Sequence, residues 1–549
     1  MIGARLPPRD QALERLAARR FDVLVVGGGI TGAGVALDAA ARGLSVALVE
    51  RGDFASGTSS KSSKLVHGGL RYLEQRELAL TRAASVERDR LRRLAPHLVE
   101  PIPFVLPVPH APTRAKFEIG LWVYDLLASF RNFSLHRRTS PEETVLLFPA
   151  LPRPLPGFIY YDGRTDDVRL VMEVLLAACA RGAVVVNHVP VVAIDPGEAG
   201  VEAAVEDALS GRRFVVTARR AVVAGGVWTD RIEALARPEA VPKLRPSKGV
   251  HLVFSKSDLP VGEAAALIPA IDRRRMLFVI PWHDAVLVGT TDTPYDGELE
   301  RPGVDAADRA YILGSLNEAL DTALDEDRIV GAFAGLRPLI AGRADHTADL
   351  SRRHAVYPIA PGVIGITGGK LTTYRAMAEE AVDLVAEGLG CKTGARTRAV
   401  QLGSSDLAAL RRLVEPRVAA LGLEPGTGGD LVRRYGERAL DVLALAAETG
   451  LTGPLAEGQR PLAAEALYCA RAEMVVHLND LLARRTRLAL IDRAAGAGSV
   501  AAELLAGELG WSEARRDTEV EAHLEAVMSE RGLGASGSDE PDSSRAETG

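Results

Sequence analysis

Gly27, Gly29 and Gly32 are spaced as G-x-G-x-x-G, a pattern that can seat the phosphates of a dinucleotide. Gly27 permits a tight turn, Gly29 lets a pyrophosphate approach the main chain, and Gly32 lets a helix pack closely on a strand. Glu50 stands where a carboxylate can accept from two ribose hydroxyls, which disfavours a 2′-phosphorylated cofactor. The pattern points to dinucleotide binding, with phosphates at the N–H-bearing, positive end of a helix. Beyond it, the small polar run from Gly52 to Lys64 includes Thr58, Ser59, Ser60 and Ser63. Such a loop can give hydroxyls and backbone N–H groups to a phosphate or a flavin edge, although a solvated flexible loop has the same composition.

The elements around the glycines fit that chemistry. Phe21 to Val26 is a short apolar run that reads as a buried strand, and Ala33 to Arg42 has helical patterning. Gly43 is a stop, and Leu44 to Val49 is a second strand closed by Glu50. A lone Gly-rich motif is also found in ordinary turns; here strand, helix, second strand and terminal acid all fall in place. The motif does not separate FAD from NAD.

A chain of 549 residues is too long for one core, so two or three domains are expected. A formal net charge of −6, with no basic cluster interleaved with aromatics, argues against a nucleic-acid binder. Cys179, Cys391 and Cys469 lie far apart without C-x-x-C spacing and read as small buried hydrophobes of a reducing cytosol. The histidines show no metal spacing, so no metal is expected. No apolar run approaches the ~20 residues that span a bilayer. Residues 1–20 carry Pro7, Pro8, Asp10 and Glu14 and lack an apolar core, unlike a secretory signal.

Along the chain, residues 1–20 form a short amphipathic arm, 76–95 a charged helix, and Pro101 to Pro112 a Pro-rich extended connector. Lys116 to Phe130 is an apolar helix flanked by Arg114, Lys116 and Arg131, suited to a membrane interface or simply to a core. Strands are expected at Ala183 to Val186, Val201 to Ala208, Arg213 to Arg219 and Arg220 to Ala224, the last leading into Gly225-Gly226-Val227-Trp228. Gly249 to Phe254, Met276 to Ile280 and Ala285 to Gly289 suit the sheet of a substrate-capping domain, and Ala306 to Leu324 is helical. Gly362 to Thr367 is a strand feeding Gly368-Gly369-Lys370 and another helix, whose positive end can stabilise negative charge on a reduced flavin ring. From about 400 to 530 the chain is mostly helical, with breaks near 425 and 454, and 533–549 reads as a disordered acidic tail. The whole is α/β: a Rossmann-type FAD-binding domain (21–395) interleaved with a β-sheet-rich substrate domain (about 73–150 and 245–335), then an all-helical C-terminal domain (396–532).

These motifs together resemble the FAD-dependent glycerol-3-phosphate dehydrogenases. The likeness rests on Gly27 to Gly34, Thr58 to Ser60 with Ser62 to Leu73, Ile280-Pro-Trp282 with Gly289-Thr-Thr-Asp292, Gly335 to Leu339, and Gly368 to Arg375. It covers roughly 21–390, and a weaker match through Asp480 to Leu488 carries it to about 530. The resemblance implies oxidation of sn-glycerol 3-phosphate to dihydroxyacetone phosphate, with FAD accepting the hydride and electrons passing to a membrane quinone. It further implies a cytoplasmic protein attached peripherally to the cytoplasmic face of the inner membrane, and a homodimer is a further expectation. Two positions depart from the family. Ala224-Gly225-Gly226-Val227-Trp228 replaces the usual Ala-Thr-Gly-Pro-Trp, and Lys61 stands where a small residue is common. Neither removes a required charge or base, so both read as tuning.

Such a reaction needs a cationic cradle for phosphate, a base for the hydroxyl proton and a flavin facing the carbon-bound hydrogen. Positions matching the family's substrate contacts are Arg71, Tyr72, Arg337 and Lys370. Arg71 and Tyr72 offer a guanidinium fork and a phenol to phosphate. Arg337 clamps phosphate or polarises the hydroxyl, and Lys370 favours the reduced flavin anion. His251 is the expected base, because it matches a family histidine and imidazole titrates near neutrality; a core histidine is its alternative. Cofactor contacts are expected from Gly27, Gly29, Gly32, Glu50, Thr58, Ser59, Ser60, Ser63, His67, Gly68, Val189, Gly226, Gly369, Lys370, Leu371 and Thr372. The rival readings are a glycerol-3-phosphate oxidase using O2, an amino-acid oxidase on the same fold, and a non-catalytic FAD-binding scaffold. The oxidases often carry a mid-chain insertion, and none stands out. Arg71 and Tyr72 with Lys370 suit phosphate better than a carboxylate, and a scaffold would not need every substrate residue.

Overall fold

The computed structural model describes residues 5–70, 77–108, 110–128, 132–197, 199–273, 275–341, 354–491 and 497–532. Arg71, Tyr72 and the tail 533–549 lie outside the described residues.

The strand Phe21–Val26 occupies the middle of the first sheet. In spatial order the sheet runs His354–Ala360, Val363–Gly368, Arg213–Val223, Phe21–Val26, Val46–Val49 and Val184–Val186. All neighbours pair parallel except the first two. Helices Ile30–Ala41, Asp167–Cys179 and Tyr374–Leu389 pack together beside it, which explains strands that are apolar on both faces. Arg213–Val223 is one strand rather than the two expected. Its first half pairs antiparallel with Gly200–Glu206 and its second joins the parallel sheet, so the partner changes at Ala218 without a break. The N-terminal helix Arg9–Ala18 packs Leu13 and Leu16 into this core.

The second sheet runs Thr293–Pro294, Leu244–Ser255, Ala285–Gly289, Met276–Trp282, Ala265–Pro269, Glu100–Pro107, Gly157–Arg164 and Leu65–Val66, with Ile329–Ile340 also paired to Leu244–Ser255. The Pro-rich segment after residue 100 is therefore an interior strand over Glu100–Pro107, not a connector. Pro101, Pro103 and Pro107 share one edge by alternation, so the other edge pairs with Gly157–Arg164 over its whole length. On the proline edge the parallel neighbour Ala265–Pro269 meets only Phe104 and Val105. Gly157–Arg164 and Ile329–Ile340 carry this sheet past the expected limits of residues 150 and 335.

Residues 407–531 supply a separate helical core, and the expected breaks near 425 and 454 fall between helices. Leu6 N–H donates to Ala472 O at 3.0 Å, joining the N-terminal arm to this domain.

Candidate functional site

The two sheets enclose a cavity of about 670 Å3, within the usual range for small-molecule and cofactor sites. One wall is made largely of main chain. Gly27 has φ +116°, and a Cβ there would lie 2.5 Å from Ala224 O. A Cβ on Gly32 would lie 1.9 Å from Gly27 O, so the helix can approach its strand at a glycine alone. Glu50 accepts from Gly28 N–H at 2.6 Å and Gly52 N–H at 2.9 Å. Burial pushes its carboxyl above the ordinary range, and those two N–H groups oppose the shift. Val189 N–H donates to Glu50 O at 2.7 Å, placing Val189 on the cavity beside the acid.

The serine loop closes over this wall. Ser59 Oγ accepts from Ile30 N–H at 2.9 Å and so takes one of the helix's free donors. Thr58 Oγ donates to Leu336 O at 2.6 Å, tying the loop to the strand that carries Arg337. His67 exchanges hydrogen bonds with Thr372 through its main chain, which joins the loop's end to the Gly368-Gly369 turn. Gly226, Gly369, Lys370, Leu371 and Thr372 line the cavity, and the Lys370 ammonium is buried there. Three expected contacts do not line it. Gly32 packs the helix, Ser60 donates back to Gly57 O, and Gly68 is covered by Tyr124 and Asp162. Lys61, the departure toward a larger side chain, reaches out to pair with Glu530 of the last helix.

The other wall is side chain. In the register of the second sheet Arg337 faces Ser247, Gly335 faces Gly249 and Phe333 faces His251. Alternation puts all six on one face, from which Gly249, His251, Gly335 and Arg337 line the cavity. A Cβ on Gly249 would lie 2.4 Å from Arg337 Nη2, so that glycine makes room for the guanidinium. Arg337 donates to Thr290 Oγ1 at 3.0 Å and Thr291 O at 3.1 Å, and pairs with Asp292 at 3.4 Å. His251 stacks on Phe333 with centroids 4.8 Å apart, and its Nε2 lies 2.9 Å from Ser63 Oγ. Burial, with the charges of Lys64 and Arg337, pushes its pKa down to about 3. The expectation of titration near neutrality is therefore corrected: the free protein holds a neutral imidazole.

Arg275, Thr290 and Asp292 also line the cavity, and Arg275 donates to Asp292 O at 2.9 Å. Arg275 was invisible in sequence because it precedes its strand in an arginine run, where no spacing fixes its direction. Asp292 closes the Gly-Thr-Thr-Asp motif, which was a usable signal. Elsewhere Asp53, His188 and Asp480 lie close enough to share an ion. Arg484 and Arg485 already bind both carboxylates, so this is an ion-pair network rather than a vacant ligand set.

The glycine cradle, the ribose-ready acid and the second Gly-rich turn fit FAD. Comparison with known proteins agrees. The sequence model of the FAD dependent oxidoreductase family matches residues 22–384, so the fold and site define a flavin-linked oxidoreductase. The model for the C-terminal domain of alpha-glycerophosphate oxidase matches residues 395–516. The chain is 41% identical over 540 residues to glycerol-3-phosphate dehydrogenase 2 of Mycobacterium tuberculosis, covering 96% of this chain and 92% of that protein. It is 34% identical to the mitochondrial glycerol-3-phosphate dehydrogenase of Mus musculus, covering 97% of this chain and 76% of that one. The glycerol-3-phosphate dehydrogenase of Bacillus halodurans, solved with FAD, superposes with a TM-score of 0.79 at 30% identity, over 96% of this chain and 98% of that one. The chain belongs to the FAD-dependent glycerol-3-phosphate dehydrogenase family.

Proposed function

We propose that this chain oxidises sn-glycerol 3-phosphate to dihydroxyacetone phosphate and delivers the electrons to a quinone at a membrane surface. The observation that carries the reading is His251 and Arg337 on one face of neighbouring strands, lining the same cavity as the Gly-rich turns. Bound in that cavity, FAD supplies the acceptor for the hydride of the alcohol carbon. Arg337 and Lys370 form the cationic cradle for the phosphate, with Arg71 and Tyr72 assigned to it from sequence.

His251 Nδ1 is buried from solvent, so the route to the ring runs through Nε2, where Ser63 stands. In this reading the substrate hydroxyl gives its proton to Ser63 Oγ as Ser63 gives its own to Nε2. An imidazole at about 3 is a weak base, but a phosphate beside Arg337 offsets part of the field that depresses it. The base then strengthens when substrate is present.

For the membrane, the helix Ala111–Leu127 supplies support. Ile119, Trp122 and Leu126 are 67%, 51% and 59% exposed and share one stripe, while Phe117 on the other side lines the cavity. Arg114 and Lys116 precede the stripe, and an exposed Trp beside basic residues suits an interfacial helix. Among the described residues no helix is long and apolar enough to cross a membrane. In this reading the chain sits peripherally on the cytoplasmic face of the inner membrane, held by this stripe.

The test is anaerobic addition of sn-glycerol 3-phosphate to the yellow protein while the flavin's visible absorbance is followed. Bleaching, then fast re-oxidation by added quinone and slow re-oxidation by air, is the expected result. Fast re-oxidation by air would make it an oxidase, and no bleaching would remove the substrate assignment. Trp122→Ser should lower co-sedimentation with anionic lipid vesicles without changing bleaching.

A further inference from the structure

The helical C-terminal domain reaches the FAD-binding domain through three arginines. Asp480–Arg485 forms a π-helical turn, and Thr486 N–H donates to Leu481 O at 2.9 Å. This turn aims Arg484 and Arg485 at the FAD-binding domain. Arg485 grips Asp53 at 2.7 and 2.9 Å, and Arg484 adds a bond of 2.5 Å. Arg487 pairs with Asp167 and, at 3.3 Å, with Asp166.

Asp167 opens the helix Asp167–Cys179, and its carboxylate is fully buried. Oδ1 faces Arg487. Oδ2 accepts from Ser62 Oγ at 2.6 Å, Ser62 N–H at 3.2 Å and Lys64 Nζ at 2.8 Å. Ser63 is held between those two anchors, with its Oγ on His251 Nε2. One buried carboxylate therefore joins the C-terminal domain to the residue that touches the imidazole. A buried ion of this kind keeps its geometry while all its partners remain, and removing one leaves charge uncompensated.

We propose that Arg487 is a positioning residue for alcohol oxidation: through Asp167 it fixes Ser62 and Lys64, and so aims Ser63 at His251. The inference rests on the reading of Ser63 and His251 as the proton path.

The test is a double-mutant cycle on the full-length FAD-loaded enzyme, with Arg487→Gln, Ser63→Ala and their combination. Arg487→Gln should keep FAD content and KM within about twofold while kcat falls roughly ten- to a hundredfold, the scale of a small misplacement. The double variant should be no slower than the worse single one, and Arg487→Lys should restore most of kcat. Additive effects, or a change in KM alone, would overturn the proposal. If Arg487→Gln does not fold, the cycle is run with Asp167→Asn in its place, which breaks the same link to Ser62 and Lys64, and is read by the same non-additivity. His251→Asn separates the two readings. Lost kcat with an additive cycle sinks the positioning role alone, and retained kcat with a non-additive cycle sinks the proton path while the Arg487–Ser63 coupling stands.

Discussion

The cavity has two walls built on different principles. On the Gly27–Glu50 side, glycines, helix N–H groups and one acid held by two main-chain donors set the shape. On the Ser247–His251 and Phe333–Arg337 side, strand alternation aims charged and aromatic side chains, and ion pairs with residues distant in sequence fix them. A main-chain wall is rigid because there is nothing to rotate; a side-chain wall is tuned through its partners. Cofactor retention should therefore break on backbone crowding, and turnover on single side chains.

The largest effect should come from Gly32→Ala. Its Cβ would meet the main-chain oxygen of Gly27 at 1.9 Å, and no side chain can move to relieve it. Overpacking of this kind costs about 3 kcal/mol or more. The purified protein should lack flavin absorbance and melt early; a yellow, stable variant would mean that the turn is not the rigid element. Arg337→Ala comes next, and attacks the other wall. It removes the cation and leaves the glycine cradle untouched, so kcat/KM should fall by about 10³ with flavin content unchanged. Loss of flavin in that variant would show that the two walls are not separable.

The third test is of the buried imidazole. His251 is held at about 3 and His283 at about 4, both chiefly by burial, against 6.5 in the unfolded chain. Between pH 4 and 6.5 the unfolded chain binds these protons and the folded chain does not. Their neutral burial is therefore unpenalised above pH 6.5, and stability is lost as pH falls below it. His251→Asn should remove one proton's share of that acid slope, about 1.4 kcal/mol per pH unit, seen in urea midpoints from pH 6 to 4.5. An unchanged slope would mean that the folded protein already protonates His251.

The same contrast explains what was legible in sequence. Gly27, Gly29, Gly32 and Glu50 could be read because a main-chain site leaves its signature in glycine spacing and strand period. The two-sheet α/β fold and the helical C-terminal domain followed from apolar periodicity in the same way. Arg275 could not be read, nor could the pairing of Arg487 with Asp167, since contacts 320 residues apart leave no local pattern. The strand at Glu100–Pro107 was misread because its prolines look like a connector until alternation places them on one edge. The basicity of His251 was misjudged for a related reason: residue type sets the ordinary pKa, and burial beside Lys64 and Arg337 overrides it.

The smallest effect tests the one side chain on the main-chain wall. Glu50 receives Gly28 N–H on one oxygen and Gly52 N–H on the other. In Glu50→Gln one acceptor becomes an NH2 group, which then faces a buried N–H donor. The unsatisfied donor costs the turn about 1–3 kcal/mol of stability, and loss of the carboxylate's hydrogen bond to ribose weakens FAD binding roughly tenfold. Once FAD is saturating, kcat should match the parent enzyme, because the side chain at this position touches neither the proton path nor the phosphate cradle. If Glu50→Gln were as damaging as Gly32→Ala, the wall would owe its shape to this carboxylate rather than to the glycines. If stability fell while FAD affinity stayed the same, the ribose contact assigned to Glu50 would fall, leaving the acid as a brace for the turn.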